Sequence, residues 1–225
     1  QKILEVDSPH EENFYYSRFS LEKEYQKFLT EKSQRFLKEE KPREISHNLD
    51  IFYILTKLKN CCEILNYQKV LSSDFKILFL EEVLEHVRSN NYDHIPEVAI
   101  YYSLLLTMKE SENTDHFFRL KKLLMQHHAD FSREKTGEMF TYAQNYCIQK
   151  INSGESKFLQ ELFGLYKFVL EKQIIFLDGI LSPWHFKNIV AIALRVEEYS
   201  WTENFIKRYH LNIPKEFREN AYTYN

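Results

Sequence analysis

His116 and His127 form the one histidine pair whose spacing suggests a shared helix face, since eleven residues are close to three full turns. A metal site must bring both donors to within about 2 Å of one ion. On a continuous helix these two would lie ~16 Å apart along the axis. His127 and His128 point about 100° apart on a helix and read as surface or helix-end residues, since a cationic side chain suits a C-terminal turn. Glu44 and His47 have the Glu-x-x-His spacing of half a di-iron site. Such a site needs a second copy and two more inward glutamates, and the chain holds no second copy. Glu82 and His86, at i and i+4, can touch on a helix and read as a solvated pair. Nucleophilic chemistry has no better footing. Cys61, Cys62 and Cys147 sit inside apolar helical patterns, where cysteine behaves as a small hydrophobe. The chain lacks G-x-S-x-G, P-loop, G-x-G-x-x-G and H-E-x-x-H motifs. These readings predict no catalytic residue, no metal ligand and no cofactor, and hence a protein that is not an enzyme.

The elements around these residues follow from composition. Four glycines and five prolines in 225 residues leave few tight turns, and only Asp178-Gly179 offers a hairpin dipeptide. A hydrophobic content of 44% suffices for a core. The class predicted is all-α. Net charge is −3, and basic and acidic residues alternate between Leu21 and Glu44, which reads as a solvated helix face and argues against nucleic acid. The cysteines offer neither an even disulfide framework nor a C-x-x-C pair, as expected of a reducing compartment. No segment reaches the ~18 apolar residues of a membrane span, and the first residues lack a signal-peptide pattern. A cytoplasmic protein is expected, with its natural start upstream of Gln1 because the sequence does not begin with Met.

Residues 1–13 are polar and read as a flexible N-terminal tail; residues 14–225 read as one helical-repeat domain. Phe14, Leu21, Tyr25, Phe28, Leu29 and Phe36 form one stripe of a long helix that ends before Pro42. Its partner is expected in NLDIFYILTKLKNCCEILN. Ser72-Ser73-Asp74 supplies N-cap chemistry for FKILFLEEVLEHVRSNN. Pro96, Ser132, Ser182-Pro183 and Pro214 each open a helix, and a short connection at Ser200 separates the last two full helices. These openings are about 36, 50 and 32 residues apart, the range of helix-turn-helix repeats that stack into a solenoid. A further helix pair is expected beyond Asn225.

From Trp184 to Pro214 the chain resembles a degenerate tetratricopeptide repeat: Trp184 sits early in the first helix, Phe205 in the second, and Pro214 closes the unit. It departs from that family where Lys187-Asn188 replaces Leu-Gly and where Trp201 replaces a small residue. The stretches LDIFYILTKLKNCC, LQELFGLYKFVLEK and LSPWHFKNIVAIALR are similar to uncharacterised, repeat-like helical proteins of Bacteroidetes bacteria. The resemblance implies antiparallel helix pairs stacked as a right-handed α-solenoid, and implies no activity.

Aromatic residues make up 16% of the chain, with fifteen tyrosines. Tyr101, Tyr102, Tyr142, Tyr146, Tyr222 and Tyr224 all fall in the first helix of a pair, and in tetratricopeptide-like solenoids those helices line the concave surface. Asn145, Asn188 and Asn220 share those helices and can bond an extended peptide backbone. The set Tyr102, Tyr142, Asn145, Asn188 and Tyr222 is therefore the expected partner-binding surface; otherwise the tyrosines fill helix seams and the asparagines bridge neighbouring helices. The leading function is a scaffold that binds a partner protein or peptide in a preformed groove. The alternatives are an enzyme or ligand sensor with a site between helices, using groups such as His185, Tyr142 or Glu198, and a support segment for a longer protein.

Overall fold

The computed structural model describes residues 12–31, 40–71 and 76–218. Those residues are overwhelmingly helical, and within each compact unit neighbouring helices pack against one another. They divide into two compact units, one up to Phe131 and one from Ser132 on.

The first unit contains α1 (Glu12–Glu31), α2 (Glu40–Leu71), α3 (Leu80–Asn90), α4 (Pro96–Lys109) and α5 (Thr114–His127). α4 is its centre. Every residue from Pro96 to Leu105 is buried, as a helix that is apolar all round must be. α2 packs on one side of it with Ile51, Ile54, Leu55, Leu58, Cys61 and Cys62, and α5 on another with Phe117, Leu120 and Leu124. α3 turns Leu80, Val83, Leu84 and Val87 inward, the i, i+3, i+4, i+7 pattern of one helix face. Pro96 stands at the start of α4 as predicted, where its missing N–H breaks no bond.

α1 departs from its expected packing. It lies antiparallel along α2, yet Leu21, Tyr25 and Phe28 of the apolar stripe are exposed and no described side chain of α1 is fully buried. Beside the Tyr16 and Phe52 rings, whose centroids are 5.0 Å apart, polar contacts hold it. Thr56 Oγ1 donates to Glu12 Oε1 at 2.6 Å, Lys59 Nζ to Glu12 Oε2 at 2.6 Å, and Asn48 Nδ2 to Glu22 Oε2 at 3.1 Å. Pro42 does not end α1; it falls in the first turn of α2, where backbone N–H groups have no intrahelical acceptor. Residues 72–75, with the expected cap Ser72-Ser73-Asp74, lie outside the described residues. The next helix starts at Leu80, because Phe79 has φ 60°, a left-handed conformation that no right-handed helix can contain.

The second unit contains α6 (Arg133–Asn152), α7 (Phe158–Glu171), a hairpin of β1 (Phe176–Leu177) and β2 (Ile180–Leu181), α8 (Pro183–Arg195) and α9 (Tyr199–Tyr209). Ser132 caps α6 by accepting a hydrogen bond from Lys135 N. Helices α6 and α7, α7 and α8, and α8 and α9 pack in sequence. Phe205 of α9 is the aromatic hub, with ring centroids 5.0 Å from Phe186, 5.3 Å from Trp201 and 5.2 Å from Tyr209. Trp201 also meets Phe163 of α7 edge-on at 4.9 Å. Trp184, by contrast, is 74% exposed.

The all-helical expectation misses the hairpin. Asp178 and Gly179 both have positive φ, which suits a two-residue turn between strands of right-handed twist, and Asn212 Nδ2 donates to Gly179 O at 2.8 Å. Ser200 lies inside α9, so the expected connection is displaced to residues 196–198. There Glu197 (φ 63°) donates its N–H to Leu194 O and Glu198 to Ala193 O, closing α8 in the manner glycine usually provides. Gln173 (φ 55°) closes α7 the same way. A glycine-poor chain thus makes its turns from other residues at a strain cost of about 1 kcal/mol each. Pro214 begins a further turn, with Phe217 N donating to Pro214 O at 3.0 Å.

Candidate functional site

The two helices that flank the entry to the first unit's core, α2 and α3, leave an open cleft of about 310 Å³ between them. Asp50, Tyr53 and Ile54 line it from α2 at i, i+3 and i+4. Phe79, Glu82, Val83 and His86 line it from the other side, at i, i+3, i+4 and i+7. Asp50, Tyr53 and Ile54 share one face of α2, and Glu82, Val83 and His86 one face of α3. Ile54 and Val83 are buried and form the floor, while Tyr53 and Phe79 are about half or more exposed and form the walls. The left-handed backbone at Phe79 places that ring just ahead of α3, and its carbonyl accepts Val83 N at 3.2 Å.

Polar groups converge on the same opening. His86 Nε2 and the Tyr92 hydroxyl lie 3.0 Å apart, and Asn90 Nδ2 donates to His86 O at 2.8 Å. Burial, with a smaller push from the Asp50 charge, raises the Tyr92 pKa above its ordinary value, so Tyr92 is a neutral hydroxyl at any physiological pH. Asp50 and Glu82 have neither a hydrogen-bond nor an ion-pair partner among the described residues. Their neighbours Glu81 and Glu85 do, with Lys109 and Arg88. An apolar floor, aromatic walls and two carboxylates are binding chemistry.

The residues expected to bind a partner are placed differently. Tyr102 belongs to the first unit and is buried, with the Arg119 guanidinium 5.9 Å from its ring centroid. In the second unit, Tyr142 is half-buried and Asn145 exposed on α6. Asn188 of α8 is half-buried and lies near the hydroxyl of Tyr166 on α7, whose pKa burial pushes up to about 12. Tyr222, with Asn220 and Tyr224, lies outside the described residues. Tyr101 and Tyr146 are buried.

No family model, curated protein or solved structure matches this chain.

The candidate metal and catalytic residues take local partners. His116 Nε2 meets Glu110 at 2.9 Å, His127 Nδ1 meets Asp130 at 2.7 Å, and His128 Nδ1 meets Met125 O at 3.0 Å. Glu44 and His47 are exposed on α2. Among the described residues no three His, Cys, Asp or Glu side chains are arranged to hold a metal ion. The three cysteines are buried, and burial raises the pKa of Cys61 and Cys62, which disfavours the reactive thiolate. His185 is half-buried, with Nδ1 buried and lacking a hydrogen-bond partner, and burial lowers its pKa. Glu198 is exposed just before α9. Among the described helices none is long and apolar enough to cross a membrane.

The residues missed by sequence reasoning are Asp50, Tyr53 and Phe79. Asp50 and Tyr53 stand at i, i+3 in the sequence, and Glu82 and His86 at i, i+4. What sequence lacked was the crossing of α2 and α3, which sets the two faces opposite each other.

Proposed function

We propose that this chain is a non-enzymatic helical scaffold that binds a segment of a partner protein, and that the α2–α3 cleft holds that segment. The observation that carries this reading is the pair of exposed rings, Tyr53 and Phe79, standing over the apolar floor of Ile54 and Val83. Large aromatics that are exposed alone and would be desolvated on contact are the side chains that dominate protein interfaces. The expected Tyr and Asn surface supports it less, because Tyr102 is buried and Asn188 is half-buried. Tyr142 and Asn145 remain available as a secondary surface in the second unit.

The packing of α6 on α7, α7 on α8 and α8 on α9 supports tetratricopeptide-like pairs stacking as a right-handed solenoid in that unit. The absence of disulfides among the three buried cysteines supports a reducing, cytoplasmic setting.

The test is affinity capture from a lysate of the source organism, with wild-type chain and a Tyr53→Ser/Phe79→Asn variant as parallel baits. Asn tolerates the left-handed backbone at position 79, so the variant keeps its fold. A protein retained by the wild type and lost by the variant supports the reading. Retention by both baits places the binding surface elsewhere.

A further inference from the structure

We propose that the partner segment inserts one arginine or lysine side chain into the α2–α3 cleft, its alkyl stem on Ile54 and Val83 and its cationic head between Asp50 and Glu82. This rests on the reading of the cleft as the partner-binding site and names the chemistry that fills it.

Three observations on the cleft converge. The first is charge: the described side chains lining it include two carboxylates and neither Lys nor Arg. The flanking glutamates on α3 are already neutralised, Glu81 by Lys109 and Glu85 by Arg88, whereas Asp50 and Glu82 have no such partner among the described residues. An incoming cation supplies one.

The second is the walls. Tyr53 and Phe79 present aromatic faces at the same opening, and a cation over such a face is favoured, arginine most often. The apolar floor accepts the methylene stem that long basic side chains lay along hydrophobic surface.

The third is size: an open cleft of about 310 Å³ has room for one long side chain, while the rest of the segment stays outside it.

The probe is a capped pentapeptide, Gly-Ser-Arg-Ser-Gly, titrated into the isotopically labelled chain while the methyl signals of Ile54 and Val83 are followed. The Lys analogue, the neutral citrulline analogue and free butylguanidinium serve as comparison ligands. The proposal predicts saturable shifts with the Arg and Lys peptides and binding about tenfold weaker for citrulline. An Asp50→Asn/Glu82→Gln variant should weaken the Arg peptide by a similar factor with its melting temperature unchanged. Equal binding of the citrulline peptide, no saturable shift at Ile54 and Val83, or tighter binding of butylguanidinium than of the peptide overturns it.

A captured partner separates this inference from the reading beneath it. A partner lost by Tyr53→Ser/Phe79→Asn but kept by Asp50→Asn/Glu82→Gln leaves the cleft as the binding site and removes the cation. A partner kept by both variants removes the cleft itself.

Discussion

Lys59 places its ammonium 2.6 Å from the Glu12 carboxylate, joining residues 47 apart in sequence and pinning the start of α1 to α2. Since α1 buries no described side chain completely, this contact matters more to its docking than a surface pair usually would. Burial works against the Lys59 charge, but the Glu12 hydrogen bond and the charges of Glu12, Glu97 and Glu63 outweigh it and raise the pKa. A raised pKa means the stabilisation is complete below the unfolded-state value and is lost only as pH climbs through the folded one. A Lys59→Gln/Glu12→Gln double-mutant cycle should give a coupling of about 1–2 kcal/mol by urea denaturation at neutral pH, discounted for partial exposure. A coupling near zero would mean that α1 is held by other contacts.

The buried hydroxyl of Tyr166 has a pH signature. Burial raises Tyr166 to about 12 from 10.0, so the unfolded chain loses this proton first and stability falls as pH rises between those values. Tyr166→Phe removes this ionisation, so the stability difference between the two proteins near pH 8 is the reference. By about pH 11 the same substitution should look better by roughly 1.4 kcal/mol, the worth of one pKa unit of differential ionisation. Denaturation of both proteins across that range checks the sign; a difference independent of pH would contradict the buried-hydroxyl account.

Phe205 touches Phe186, Trp201 and Tyr209 and is 3% exposed. Phe205→Ala should therefore cost about 3–5 kcal/mol, read from urea midpoints. Trp184→Ala, at a ring that is mostly exposed, should stay within about 0.5 kcal/mol.

The strained helix ends give a gain instead of a loss. Gln173→Gly and Glu197→Gly relieve left-handed backbone at the close of α7 and α8, and each should stabilise by about 0.5–1 kcal/mol. A melting temperature that falls in both variants would contradict the assigned turn geometry.

Sequence proved most informative where structure is decided locally. Pro96 and Ser132 open helices because their caps and missing N–H act within one turn, and Asp178-Gly179 is a hairpin dipeptide whose turn is equally local. The stripe of Leu21, Tyr25 and Phe28 misled because periodicity records where apolar groups lie and not whether a partner surface covers them. Phe79 and Glu197 carry no signal of their left-handed backbone, since neither is glycine or asparagine. The cleft was hidden for a different reason: Asp50 and Glu82 are ordinary helix-surface acids until α3 folds across α2.

The most direct test of the account is the dissociation constant of a captured partner for the wild-type chain and for Tyr53→Ser/Phe79→Asn. Two desolvated aromatic anchors should together account for about a hundredfold or more in affinity, and the account predicts a loss of that size with the fold intact. A constant unchanged within about twofold, on the same scale, would contradict it and show that the α2–α3 cleft is not where the partner binds.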